Sequence, residues 1–257
     1  MGTASLVFAG PPCRAYTSGT TVNNKLPLTA NRAGPVLHRK PARQAGSGGG
    51  SRRGALAVVA VRVENEDVAI GTLAPDFELP EPLTGQTIKL SEYAAGAPAT
   101  LVMFICNHCP FVVHLKPAIT ELAKDYQAKG VKVVAISSNS AETHPQDGPE
   151  KMAEDAKAQG YTFPYLFDST QEVAKAYSAA CTPEFYVFDA DRKLFYHGQF
   201  DSSRPSKYGG DTPVTGEDLR HALDCVLAGK PLGRAVRNSI GCNIKWQPGN
   251  APAWFGG

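Results

Sequence analysis

The chain has 257 residues, with 26 basic against 24 acidic side chains and a formal charge of +2. No Asp or Glu precedes Glu64, whereas nine basic residues do, so the remainder holds 17 basic and 24 acidic residues, about −7. That balance argues against a nucleic-acid binder, no apolar run approaches the ~20 residues of a membrane-spanning helix, and a hydrophobic content of 42% suits a packed core.

The first sixty residues stand apart. Arg14, Lys25, Arg32, Arg39, Lys40, Arg43, Arg52 and Arg53 lie among Ser, Thr, Ala, Gly and Pro. An Arg-rich, hydroxylated, acid-free start without a compact apolar stretch has the composition of an organelle transit peptide. The alternative is a basic tail that binds nucleic acid or a membrane surface. Residues 1–60 are therefore expected to target a plastid, alternatively a mitochondrion, with cleavage near Val59–Ala60. Residues 61–235 are expected to form one domain, and 236–257 a loose C-terminal tail containing Cys242.

From Gly71 onward strands and helices alternate. Residues 71–79 and 87–90, joined by Thr84-Gly85-Gln86, read as a hairpin, and residues 91–94 as a helical turn. Residues 99–106 form an apolar run of strand character. A helical face follows, through Phe111, Val112, Leu115, Ile119, Leu122 and Tyr126, to a stop at Lys129-Gly130. Residues 131–137 predict a buried strand. A helix over 149–160 has Pro at its start and Gly at its end. Residues 163–167 predict an edge strand and 170–177 a short helix. Two strands follow at 184–189 and 193–200. A polar loop then leads to a helix capped near Thr215 and ending at Gly229.

The chemistry is concentrated at Cys106-Asn107-His108-Cys109, where the first long strand runs into the first long helix. A thiolate at a helix N-terminus is stabilised by unpaired N–H groups and the helix dipole, which lowers its pKa below the usual ~8.5. Cys106 is expected to cap that helix and to be the more acidic thiol. Cys109, three residues on, is close enough to form a disulfide with it. A zinc site from these cysteines, with His108 or His114, would need a second close pair that the sequence lacks. No Gly-rich dinucleotide loop follows a strand, and neither metal nor cofactor is expected.

Three separated motifs carry a resemblance. Gly71…Ala74-Pro75…Phe77…Leu79…Gly85…Leu90, then Cys106-Asn107-His108-Cys109, then Cys181-Thr182-Pro183-Glu184-Phe185 occur in the order of the AhpC/TSA branch of the thioredoxin-like superfamily. Ser239-Ile240-Gly241-Cys242-Asn243-Ile244-Lys245-Trp246 resembles a C-terminal signature of one subgroup. The resemblance implies an α/β thioredoxin fold: a mixed central sheet with helices on both faces, an N-terminal β extension and a C-terminal tail. It implies a cis bond at Pro183 and a Thr182 backbone free to pair with an extended substrate.

The departures matter too. Thr100 stands where thioredoxins carry a buried acid, and Ile105 where they carry Trp. Peroxiredoxins place Thr or Ser three residues before their reactive cysteine; counted from Cys109, that position is Cys106. A cation near the site could come only from Arg204.

The function expected is thiol–disulfide exchange: Cys106 attacks a disulfide in a protein or small molecule and Cys109 resolves it, with a dithiol protein such as thioredoxin returning the electrons. The alternatives are a thioredoxin-dependent peroxidase, or a metal-binding or scaffold module. Cys181 is either a resolving thiol or a small packing residue. Cys242, in an exposed tail, is either a resolving thiol or a structural, inert one, and Cys225 is a core residue.

Overall fold

In the computed structural model, which describes residues 62–64 and 68–255, the apolar run after Pro98 is the middle strand of the central sheet. The targeting segment expected over residues 1–60 lies outside the described residues. Chain order is β1 (Arg62–Glu64), β2 (Glu78–Pro80), β3 (Thr87–Lys89), α1 (Leu90–Tyr93), β4 (Ala99–Phe104), α2 (Pro110–Gln127), β5 (Lys132–Ser137), α3 (Pro149–Gln159), β6 (Tyr165–Phe167), α4 (Glu172–Ala176), β7 (Cys181–Thr182), β8 (Glu184–Asp189), β9 (Leu194–Gly198), α5 (Glu217–Leu227) and β10 (Ile240–Asn243).

The five-stranded sheet has the order β6-β5-β4-β8-β9. β4, β5 and β6 are parallel, and β8 and β9 run antiparallel to them. Parallel neighbours need a long crossover, and α2 supplies the one between β4 and β5. All six residues of β4 are buried, and successive side chains serve opposite faces. Leu101 and Met103 join Val112, Ile119 and Leu122 of α2 and Leu219 and Leu223 of α5 in one core. Val102 and Phe104 join Phe77, Leu90, Ala174 and Tyr177 in the other. The sheet is thus covered on both faces, as the thioredoxin architecture requires, and β2 and β3 form the expected hairpin.

Helix ends follow their sequence signals, with one refinement. α3 starts at Pro149 and stops at Gly160, whose φ of 63° is left-handed. α5 is capped from a distance: Asp201 Oδ2 accepts the N–H groups of Thr215 and Gly216 at 2.7 Å each. A carboxylate there also complements the positive end of the helix dipole.

The C-terminal tail is a correction. Residues 240–243 form β10, the middle strand of a three-stranded antiparallel sheet of order β1-β10-β7. Cys242 pairs with Thr182 on one side and Arg62 on the other. The Gly, Pro and Asn content suggested loose chain, but Gly241 serves close packing. A Cβ at Gly241 would stand 2.0 Å from the Thr182 carbonyl oxygen.

Candidate active site

β4 ends at Phe104 and α2 begins at Pro110, so Cys106 and Cys109 both lie in the connecting turn. The residue that caps α2 is Cys109, with extended backbone (φ −60°, ψ 123°). Cys106 is one turn too early, which corrects the expectation that it caps the helix. Pro110 occupies the first helical position, where a missing N–H costs no intrahelical bond.

Across from this turn, the Thr182–Pro183 bond is cis, as expected. Thr182 touches both sulfurs: Cys106 Sγ lies 3.4 Å from its Oγ1, and Cys109 Sγ lies 3.1 Å from its carbonyl oxygen. The structure therefore brings Cys106, Cys109, Thr182 and Pro183 into one site. The backbone of Thr182 is not free, however, because β10 already pairs with it. That overturns the expected open edge for an extended substrate.

The surroundings of the two thiols favour ionisation of Cys109 over Cys106, where the sequence led one to expect Cys106. Burial works against ionisation of Cys109. The Cys106 thiol, the Cys242 thiol and the N–H groups of Val112 and Cys242 all donate to its sulfur and outweigh burial, holding Cys109 well below the ordinary thiol range. The Thr182 carbonyl is the one opposing contact, because it can only accept. Cys106 is pushed well up, by burial first, then by its bond to Cys109 and the negative charges of Asp147 and Cys109; the Thr182 hydroxyl offsets only part of this. Cys242 is raised by donating to Cys109 and by burial. The residue is buried at 3% exposure, not displayed on a tail.

Asp147, which sequence reasoning missed, is a buried acid beside the redox turn. It is fully buried and accepts the Asn107 N–H at 2.9 Å and the Asn139 side-chain amide at 2.8 Å. Burial raises its pKa, but the contacts with His108, Asn139 and Asn107 outweigh this and keep it ionised. His108 Nδ1 is 2.6 Å from Asp147 Oδ2, yet off the line a ring N–H would need, so that nitrogen lacks a well-directed partner among the described residues. Ligand atoms of Cys106, His108 and Asp147 fall within 4.8 Å of one another, a sulfur, nitrogen and oxygen set that could hold a divalent cation. Lys116 fixes the same turn: its buried ammonium donates to the Asn107 carbonyl at 3.0 Å and to Asp155 at 2.7 Å.

Cys181 is turned to other partners. Its sulfur lies 3.6 Å from Glu184 Oε2 and within 3.9 Å of the Pro183 and Ser239 carbonyls, and burial with the Glu184 charge pushes it well up. It fits the packing alternative. Glu184, also missed, is a fully buried carboxylate that accepts the N–H groups of Ala180 and Cys181 and bonds His197 Nε2 at 2.7 Å. An acid at the head of the apolar strand 185–188 was a visible signal for it. Asp147, forty residues from the dithiol in a Gly-Pro turn, gave none. Cys225 is a buried core residue as expected. His114 is half-buried and bonds Ser203. Arg204 bonds the carbonyls of Asp201 and Ser203 and the Gln199 side chain, and borders a cleft beside Pro183 and Phe111.

Residues 70–197 match the model of the AhpC/TSA family. Thiol-disulfide oxidoreductase ResA of Geobacillus thermodenitrificans (strain NG80-2) is 30% identical over 131 residues, covering 51% of this chain and 70% of that protein. Among solved structures, a hypothetical protein of Sinorhizobium meliloti 1021 is 49% identical, with a TM-score of 0.69 over 72% of this chain and 99% of its own. An uncharacterized conserved protein of Geobacillus kaustophilus is 50% identical, with a TM-score of 0.71 over 74% of this chain and 99% of its own.

Proposed function

The chain belongs to the AhpC/TSA family and is a thioredoxin-like oxidoreductase, and we propose that it exchanges disulfides through Cys109 and Cys106, in that order. The carrying observation is that both thiols touch Thr182, the residue preceding the cis proline, with Cys109 at the cap of α2. Cys109 attacks one sulfur of a substrate disulfide and expels the other as a thiolate. Cys106 then gives up its proton and attacks Cys109, expelling the second substrate sulfur. Two protein thiols become one disulfide, and the substrate disulfide leaves as two thiols. A reduced dithiol protein such as thioredoxin reverses the balance.

Asp147 stands beside Cys106 as a fixed negative charge. It keeps Cys106 protonated until Cys109 has become a mixed disulfide and lost its own charge. With one anion gone, ionising Cys106 costs less, so the order of attack is built into the electrostatics. Both cysteines are nearly inaccessible, Cys109 at 0% and Cys106 at 1% exposure, so exchange needs local opening of the turn or of β10.

The acid-free, Arg-rich start supports work in the plastid stroma. A peroxidase reading is favoured by one observation, the Cys109-Pro110 pair at the start of a helix. The test of the exchange reading is to treat the reduced full chain with glutathione disulfide and count thiols. Loss of two thiols to a Cys106–Cys109 bond supports it, and no loss refutes it.

A further inference from the structure

Cys242 is one of three buried thiols among the described residues that exchange between Cys106 and Cys109 leaves unused, and its place is specific. β10 runs antiparallel to β7 with Cys242 opposite Thr182, the residue that contacts both redox sulfurs. Addition of a guest strand to an open backbone edge is a recurrent way of holding an extended peptide. Here the guest is the chain's own segment. Gly241 permits the approach, since any Cβ there would collide with the Thr182 carbonyl at 2.0 Å and crowd the Pro183 nitrogen at 3.1 Å. Cys242 packs in the same core as Cys106, Cys109 and Phe111, opposite the residue whose carbonyl the Cys109 sulfur meets at 3.1 Å, and it is among the groups that lower the Cys109 pKa.

We infer that Cys242 is a third redox thiol, a built-in substrate cysteine on β10, to which Cys109 passes the disulfide first formed with Cys106. The inference rests on the dithiol reading above and deepens it. The step needs no outside oxidant. Cys242 loses its proton and attacks the Cys109 sulfur of the Cys106–Cys109 bond. A Cys109–Cys242 bond forms, and Cys106 leaves as a thiolate and takes up a proton. One disulfide is exchanged for another, with no net change of oxidation state. Cys106 is thereby returned to its thiol while β10 is tied across the site.

The test uses the full chain, reduced, then oxidised with glutathione disulfide, alkylated and mapped as peptides without reduction. The wild type is expected to show both Cys106–Cys109 and Cys109–Cys242. Cys106→Ser is expected to give Cys109–Cys242 as its main internal bond, and Cys242→Ser only Cys106–Cys109. Gly241→Val, which pushes β10 away from Thr182, is expected to lower Cys109–Cys242 several-fold while Cys106–Cys109 persists, with a thermal melt checking that the variant folds. A Cys106→Ser protein holding glutathione on Cys109 with Cys242 free overturns the inference but leaves the dithiol reading standing. A wild type with no internal bond at all refutes both.

Discussion

Cys242 stands directly across an antiparallel pair from Thr182, so the edge beside the cis proline is filled by the chain's own C-terminal strand. The redox turn is consequently held from three sides, by α2, by β7 and by β10. Each contact on Cys109 and Cys106 has a measurable consequence.

Cys109 is expected to ionise below the ~8.5 of a free thiol and below Cys106. Its anion should persist through neutral pH and disappear as pH falls through its lowered folded value. Ultraviolet thiolate absorbance against pH, in Cys106→Ser and Cys109→Ser proteins, checks this. A higher midpoint for Cys109 than for Cys106 would reverse the roles.

Asp147→Asn should lower the midpoint of Cys106, because the neighbouring negative charge is removed. It should also flatten the acid limb of stability. A carboxyl whose folded pKa is depressed contributes stability above its unfolded value near ~3.9, and that contribution is lost as pH falls through the folded value. Urea midpoints of wild type and variant from neutral to acid pH should converge at the acid end.

Glu184→Ala should cost about 3–5 kcal/mol, since it leaves His197, two N–H groups and the Tyr186 hydroxyl without their buried acceptor. Denaturant unfolding measures it. A loss below ~1 kcal/mol would mean that the pocket rearranges or admits water.

Peroxide oxidation of the reduced protein should be slow, on the order of free-thiol rates. Cys106 occupies the position where a hydroxyl would orient peroxide, and Arg204 is engaged with Asp201, Ser203 and Gln199. Stopped-flow oxidation by hydrogen peroxide is the check; a rate far above that of free cysteine would make the peroxidase reading primary.

Much of the fold was legible because its signals are local. The apolar run of β4, the helical period of α2 and the Pro and Gly that bound α3 each act within a few residues. β10 was not legible, because its partners are Thr182 and Arg62, far away in sequence, and its composition resembles loop. The site divides the same way. Cys106, Cys109 and the cis bond before Pro183 could be read from motifs. Which thiol its surroundings make the more acidic could not, since that depends on Asp147, Cys242 and the Val112 N–H converging in space.

Mixed-disulfide trapping tests the central claim most directly. Reduced Cys106→Ser/Cys242→Ser and Cys109→Ser proteins are each offered a small disulfide, quenched and weighed as intact chains by mass spectrometry. The expected result is a stable adduct on Cys109 in the first protein and little or none on Cys106 in the second. Rapid adduct formation on Cys106 in the Cys109→Ser protein, with Cys109 unreactive in the other, would contradict it.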